Sequence, residues 1–262
     1  MSLWLAALLG LVSGSFLNVL IHRLPLMIAR ECGRDAARFD IAWPPSHCPR
    51  CRAQLSWREN IPLLSWLMQN GRCRHCQQPI AWHYPLVELA AAALVVLAVW
   101  LPYPGNLTLP WHVLLLWGLL ALAVIDLKTQ LLPDALTLSL LWLGLLVNLD
   151  GALTPLADAV IGAAVGYASL WLIRAVHMQI RSVEGMGLGD AKLLAALGAW
   201  MGWTVLPLIV LIASLAGTLV GLALIVVRRG AWQAQLPFGQ WLALAGALAL
   251  FGGDAWLRLW LG

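Results

Sequence analysis

Polar residues interrupt this chain only at intervals. Uncharged, mostly apolar stretches fill residues 3–21, 89–125, 193–227 and 231–253, with shorter ones at 135–149 and 159–173. A helix needs roughly 20 such residues to cross a hydrocarbon core about 30 Å thick. Two stretches are too long for one crossing, and each holds a cluster of turn formers. These are Pro102-Tyr-Pro-Gly-Asn106 in the first and Gly202-Trp-Thr204, ahead of Pro207, in the second. Dividing the chain there predicts about eight transmembrane helices, at 3–21, 85–103, 109–127, 133–149, 155–178, 190–205, 206–227 and 236–260. The expected fold class is an all-α polytopic membrane protein, because helices satisfy the backbone polar groups of a lipid-exposed chain internally.

Composition agrees. The 262 residues are 61% hydrophobic and 11% charged, with a mean hydropathy of +0.83, which excludes a soluble globular domain. The first apolar run lacks a basic leader and a small-residue cleavage site, so it reads as a retained span. Nine arginines lie from Arg23 to Arg74, followed by Lys128, Arg174, Arg181, Lys192, Arg228 and Arg229. Eight crossings with a periplasmic N-terminus put all of these on the cytoplasmic side, as the positive-inside rule expects, and only Arg258 opposite. The sequence pI of about 9.0 then reflects topology and calls for no nucleic-acid partner. In this arrangement Trp4, Trp100, Trp111, Trp200, Trp203, Trp256 and Trp260 are expected at the outer interface. The pairs Gly10/Gly14, Gly162/Gly166 and Gly217/Gly221 have the GxxxG spacing that lets helices approach closely.

Residues 26–84 form the one sizeable polar segment. It carries Cys48-Pro-Arg-Cys51 and Cys73-Arg-His-Cys76. Four thiolates paired in this way suit a closed tetrahedral Zn²⁺ site in a small cytoplasmic, zinc-ribbon-like module between the first two spans. The alternative, two disulfides, is disfavoured in a reducing cytoplasm. Cys32 is left over, and His47 and His75 read as solvated neighbours. The apolar residues 60–67 are too short to span and are expected to pack on the module or lie at the bilayer surface. His22 and Arg23 read as an interfacial anchor, and Asn18 as a partner for a neighbouring helix.

The remaining acids differ in how easily they are explained. Asp134 follows Pro133 at a helix start, where free N–H groups and the positive dipole end favour a carboxylate. Asp126 ends the third span, where the dipole disfavours an anion, so it is the better catalytic candidate. Asp190 begins the sixth span after Gly185-Met-Gly-Leu-Gly189, a loop whose glycines, Gly187 and Gly189 among them, permit unusual backbone angles; its structural alternative is a helix cap. Under the eight-span topology Asp126 and Asp190 lie at similar depth. Two such carboxylates can activate water on a peptide carbonyl without a covalent intermediate. The dipole argument leaves the anion on Asp190 and the shared proton on Asp126.

Taken in order, Gly14-Ser-Phe-Leu-Asn-Val19, the two CxxC knuckles, Asn60-Ile-Pro-Leu-Leu-Ser-Trp66, Asp126 with Leu132-Pro-Asp134, and Gly185-Met-Gly-Leu-Gly-Asp-Ala-Lys192 resemble the type IV prepilin leader peptidases. The resemblance implies an inner-membrane, bifunctional aspartyl enzyme of the GxGD class. It would cleave the basic leader of type IV prepilins or type II secretion pseudopilins and N-methylate the new N-terminal residue with S-adenosylmethionine. The family's catalytic aspartates fall on Asp126 and Asp190, and its cysteine tetrad on Cys48, Cys51, Cys73 and Cys76. Residues 181–184 have fewer acids than is usual in the family, and Gln240 stands where Pro is common. No Gly-rich loop marks an S-adenosylmethionine site, so methyl transfer rests on the resemblance. Glu88 and Glu184 are candidate contacts for a basic leader, and the Arg-rich module suits the carboxylate of S-adenosylmethionine or anionic lipid head groups. The implied division is a first helix at 1–22, the zinc-binding module at 23–84 and a seven-helix peptidase domain at 85–262. The competing class is a transporter or assembly scaffold using the same acids, although acids gathered at one face and the lack of an evident repeat argue against it.

Overall fold

A computed structural model describes residues 2–31, 39–101, 108–181, 187–228 and 237–261, and for residues 31, 181, 228 and 253–261 the backbone alone. Among these the order is α1 (Leu3–Glu31), a 3-10 turn (Trp57–Asn60), α2 (Leu64–Met68), α3 (His83–Trp100), α4 (Leu109–Thr129), α5 (Asp134–Val147), a second 3-10 turn (Asn148–Asp150), α6 (Leu156–Arg181), α7 (Leu188–Met201), α8 (Leu206–Arg228) and α9 (Gly239–Leu261). The eight long helices fall on the eight expected spans, and among the described residues there is no strand. Among the described residues, α1, α3, α4, α6 and α8 are long and apolar enough to cross a membrane. They turn large side chains outward: Val12 is 63% exposed and Leu219 67%. A water-facing surface of that kind is untenable, whereas lipid accepts it.

The chain forms two compact units, Met1–Leu101 and Pro102–Gly262. In the first, α1 packs along α3 and the cysteine module lies between them in sequence. Helix α3 groups with α1. The reason is steric: a Cβ on Gly14 would lie 2.6 Å from the Glu88 Cα, and one on Gly10 would strike the backbone of Ala92. Only glycine lets these helices touch main chain to main chain.

Helix α1 also runs past its expected end, so His22 and Arg23 are not terminal. Arg23 is buried and its guanidinium donates to the carbonyls of Asp40, Ile41 and Pro44. It is therefore a bolt holding irregular chain against the helix and not a snorkelling anchor. Asn18 does meet the neighbouring helix, donating to the Tyr84 carbonyl at 3.0 Å.

The second unit is built around α7. Asp190, Ala191 and all residues from Leu193 to Met201 are buried, and α5, α6, α8 and α9 pack on it. A helix apolar on every side belongs in a core. Its 14 residues, about 21 Å at 1.5 Å per residue, would be short for a lipid-facing span, but protein surrounds it. Gly162 and Gly198 bring α6 and α7 into backbone contact. Trp200, expected at the outer interface, is fully buried and donates its indole N–H to the Leu140 carbonyl at 2.8 Å. Its ring lies against Gly144, where a side chain would exclude it. Trp4, Trp100, Trp111 and Trp203 are exposed, while the Trp256 and Trp260 side chains lie outside the described residues.

Gly162→Ala would set a methyl 2.5 Å from the Gly198 carbonyl oxygen and 2.8 Å from the Gly202 carbonyl carbon, neither of which can yield as a side chain does. The expected result in detergent is a loss of about 5 °C or more in melting temperature. Gly217→Ala meets only the rim of the Trp241 ring at 3.3 Å. Thermal unfolding should show that variant within about 2 °C of the parent.

Candidate active site and metal centre

Asp126 occupies the last turn of α4 and Asp190 the first turn of α7. Both are buried, at 4% and 7% exposure. Asp190 is the third helical residue after the N-cap Gly187 and accepts that glycine's backbone N–H, the acidic half of a capping box. The cap alternative for Asp190 thus holds together with its place in the site. Gly187 has an ordinary extended backbone, φ −72° and ψ 149°, and Gly189 is helical. The expectation of unusual angles at these two positions is corrected accordingly. Gly189 is needed for space, because a Cβ there would lie 2.7 Å from the Leu132 Cβ.

A third helix completes the arrangement. The backbone N–H of Gln240 donates to Asp126 Oδ2 at 2.8 Å, and Gly239 also donates its N–H to this carboxylate. Helix α4 cannot stabilise an anion at its C-terminal end, but α9 brings its N-terminus to the same carboxylate. Asp126 and Asp190 therefore both sit against free N–H groups, and the dipole argument that gave the proton to Asp126 loses its ground. A Cβ built on Gly239 would lie 3.0 Å from Asp126 Oδ2 and 3.1 Å from Asp190 Oδ1. The two carboxylates thus have oxygens within 3.1 Å of one point, and they interact electrostatically.

Around this pair, Leu132 packs between Gly189 and Gly239. Asp134 does more than meet a helix start: both of its carboxylate oxygens accept from Lys192 Nζ, at 2.6 and 2.7 Å. Lys192 is thereby a clamp from the N-terminal part of α7 to the first turn of α5. At the opposite end of α7, Asn148 is fully buried, donates to the Ala199 and Trp200 carbonyls and accepts the Leu153 and Thr154 N–H groups. Sequence reasoning missed Leu132, Asn148, Gly239 and the Gln240 amide.

In the first unit the two knuckles are copies of one another. Cys48 donates its N–H to the Ala53 carbonyl and accepts from Arg52, and Cys73 does the same with Gln78 and Gln77, all at 2.9 Å. Arg52 and Gln77, each four residues after the first cysteine, take matching left-handed φ values of 58° and 57°. The result brings Cys48, Cys51, Cys73 and Cys76 Sγ within 4.8 Å of one another. As free thiols they share protons unevenly. Burial opposes ionisation of Cys48, but the Cys51 and Arg50 backbone outweighs it and lowers the pKa to about 7. For Cys51 the Ala53 N–H favours the thiolate, yet burial and bonding to the other three thiols push it up to about 11.

His47 bonds the Pro45 carbonyl, and His75 approaches Glu59 at 3.6 Å, so neither joins the tetrad. Trp66, from the apolar 60–67 stretch, packs over Gly71 and Trp82 on the module. Glu88 is buried and accepts the Leu63 N–H at 2.8 Å and a bond from Ser15. The carboxylate thereby fixes the 60–64 turn to α3. Glu184 and Cys32 lie outside the described residues.

Comparison with known proteins now bears on this geometry. Residues 8–101 match the bacterial peptidase A24 N-terminal domain, and residues 113–222 match the type IV leader peptidase family. A prepilin leader peptidase/N-methyltransferase of Dickeya chrysanthemi is 49% identical over 94% of this chain and 92% of its own length. The chain belongs to the type IV leader peptidase family. Another relative of the same name, from Aeromonas salmonicida, is 48% identical over 98% of this chain and 93% of its own. One from Klebsiella pneumoniae is 53% identical over 69% of this chain and 76% of its own. No solved structure matches. In this leader peptidase family member the two matched regions follow the two compact units, the cysteines in the first and Asp126 and Asp190 in the second. Gly239 and Gln240 lie beyond the second matched region.

The Lys192–Asp134 pair is half open to water, so its worth is small. Lys192→Ala, Asp134→Ala and the double variant, compared by thermal unfolding, are expected to give a coupling of about 0.5 kcal/mol, with the double variant no less stable than the sum of the singles implies.

Proposed function

We propose that Asp126 and Asp190 are the water-activating dyad of a multi-pass inner-membrane enzyme that removes the leader peptide of type IV prepilins or type II secretion pseudopilins and N-methylates the exposed N-terminal residue. The observation that carries the reading is the meeting of both carboxylates at one point beside Gly239. A water molecule there can lose a proton to one carboxylate while its oxygen attacks the scissile carbonyl carbon. The other carboxyl donates its proton to the carbonyl oxygen. Collapse of the tetrahedral diol breaks the C–N bond: the proton first taken from water passes to the departing amine, and a diol hydroxyl returns its proton to the other carboxylate, which restores the dyad. Atoms balance with no covalent intermediate. Each carboxylate is held by backbone N–H groups, so the pair is preorganised before substrate arrives.

The cysteine tetrad suits Zn²⁺. Tetrahedral Zn–S bonds of about 2.3 Å place sulfurs roughly 3.8 Å apart. The Cys48 and Cys76 sulfurs stand at 3.9 Å and the whole set falls within 4.8 Å, so the four residues fit the ion. Four thiolates leave no open coordination position, which makes the ion structural. It would tie together a module that has only isolated bridges, His47 to Gln54 and Arg72 to Pro79, in place of strands. S-adenosylmethionine supplies the methyl group when bound, and no residue is assigned to it. The charge distribution supports placing the module and the dyad on the cytoplasmic side, with the arginines near anionic lipid head groups.

Asp126→Asn and Asp190→Asn should each lower prepilin cleavage in detergent by a factor of at least about 10³, with melting temperatures preserved. Asp134→Asn, which loses only an exposed ion pair, should retain most of the activity. Full cleavage by either of the first two variants would remove the dyad. Metal analysis of purified protein is expected to find one zinc per chain, and Cys48→Ser with Cys73→Ser should abolish it; a stable, metal-free parent protein would refute the zinc assignment.

A further inference from the structure

The segment Pro237-Phe-Gly-Gln240 opens α9, and its part in the site goes beyond carrying a helix terminus to Asp126. The Phe238 carbonyl accepts the N–H groups of Trp241 and Leu242, at 3.0 and 3.1 Å, so the helix ladder begins there. The N–H groups of Gly239 and Gln240 precede that ladder, are free of it, and go to Asp126. The carboxylate is thus fixed in place, not merely surrounded.

Gly239 stands apart from the other close-packed glycines of this chain in what its missing side chain would meet. Gly10, Gly14, Gly162, Gly166 and Gly198 face backbone of a neighbouring helix. Gly239 faces a leucine methyl and two acid oxygens. A Cβ there would lie 3.0 Å from Asp126 Oδ2 and 3.1 Å from Asp190 Oδ1, tighter than an ordinary carbon–oxygen contact. A methyl would therefore press on both acids at once and narrow the space between them in which a water can lie. The third neighbour, Leu132 Cδ1 at 2.7 Å, is the far end of a flexible side chain and can move aside. The carboxylates, each held by main-chain donors, are less free to do so.

The geometry points to the first turn of α9 as a third component of the cleavage site: Gly239 is a positioning residue that keeps side-chain atoms off the place of the attacking water, and the Gln240 amide holds Asp126 facing it. This rests on the dyad reading above and adds to it a requirement at a helix carrying no acid of its own in the site.

The test compares Gly239→Ala, Leu132→Ala and the double variant in native membranes, reading kcat and KM for prepilin cleavage together with melting temperature. The expected result is a fall in kcat of about 100-fold in Gly239→Ala, the scale of a misplaced reactant, with KM within threefold of the parent. The fall persists in the double variant, where Leu132 no longer crowds the methyl. Recovery of kcat in the double variant to the level of Leu132→Ala alone would mean that the glycine serves packing only, and would overturn the proposal. If Gly239→Ala alone fails to accumulate in the membrane, the double variant measured against Leu132→Ala decides. Activity in Gly239→Ala beside inactive Asp126→Asn and Asp190→Asn refutes this proposal and leaves the dyad standing, whereas active aspartate variants refute the dyad itself.

Discussion

The second unit depends on backbone N–H groups reaching two buried carboxylates. An ionised acid in a bilayer costs at least about 2.5–3.5 kcal/mol, and a hydrogen bond to a charged group returns about 1.5–3 kcal/mol. The two terms are of one size, so each acid is tolerable only where a helix terminus supplies donors. Asp190 takes its donor from the start of its own helix. Asp126 ends a helix and has to borrow from α9. Packing of α4 against α9, and of α7 against α9, is therefore an electrostatic condition as much as a hydrophobic one. Sites such as Gly246, where a Cβ would lie 2.5 Å from Leu197 Cδ2, keep α9 close enough to α7 to meet it.

The first unit uses a related device. Irregular chain beside apolar helices leaves carbonyls and N–H groups in need of partners, and long polar side chains from the helices supply them. Arg23 satisfies three carbonyls of residues 40–44, Glu88 takes the Leu63 N–H, and Asn18 bonds the Tyr84 carbonyl. By polarity alone Arg23 reads as an interfacial residue; like Asn18 and Glu88 it is spent on main-chain groups and is buried.

What could be read from the sequence was what depends on neighbours along the chain. The eight helices follow from run length and turn clusters, the paired knuckles from cysteine spacing, and Asp126 from a position at which a local helix gives an anion no support. Contacts set by packing were not readable. Trp200 looks like its interfacial counterparts until Gly144 and Leu140 close over it. Asn148 sits in an apolar setting with no local sign that it will close the far end of α7 with four hydrogen bonds. The donors to Asp126 are amides, and an amide 114 positions away leaves no mark in the sequence beyond a bend-forming Pro237-Phe-Gly.

On the proposed mechanism Asp126 and Asp190 bracket a single water molecule beside Gly239. A density map of the protein in lipid nanodiscs, at a resolution that shows ordered water, tests it most directly. The account predicts one water within hydrogen-bonding distance of both carboxylates, with Asp126 still receiving the Gln240 N–H. Carboxylates too far apart for one water to touch both, or a side chain lying between them, would contradict it.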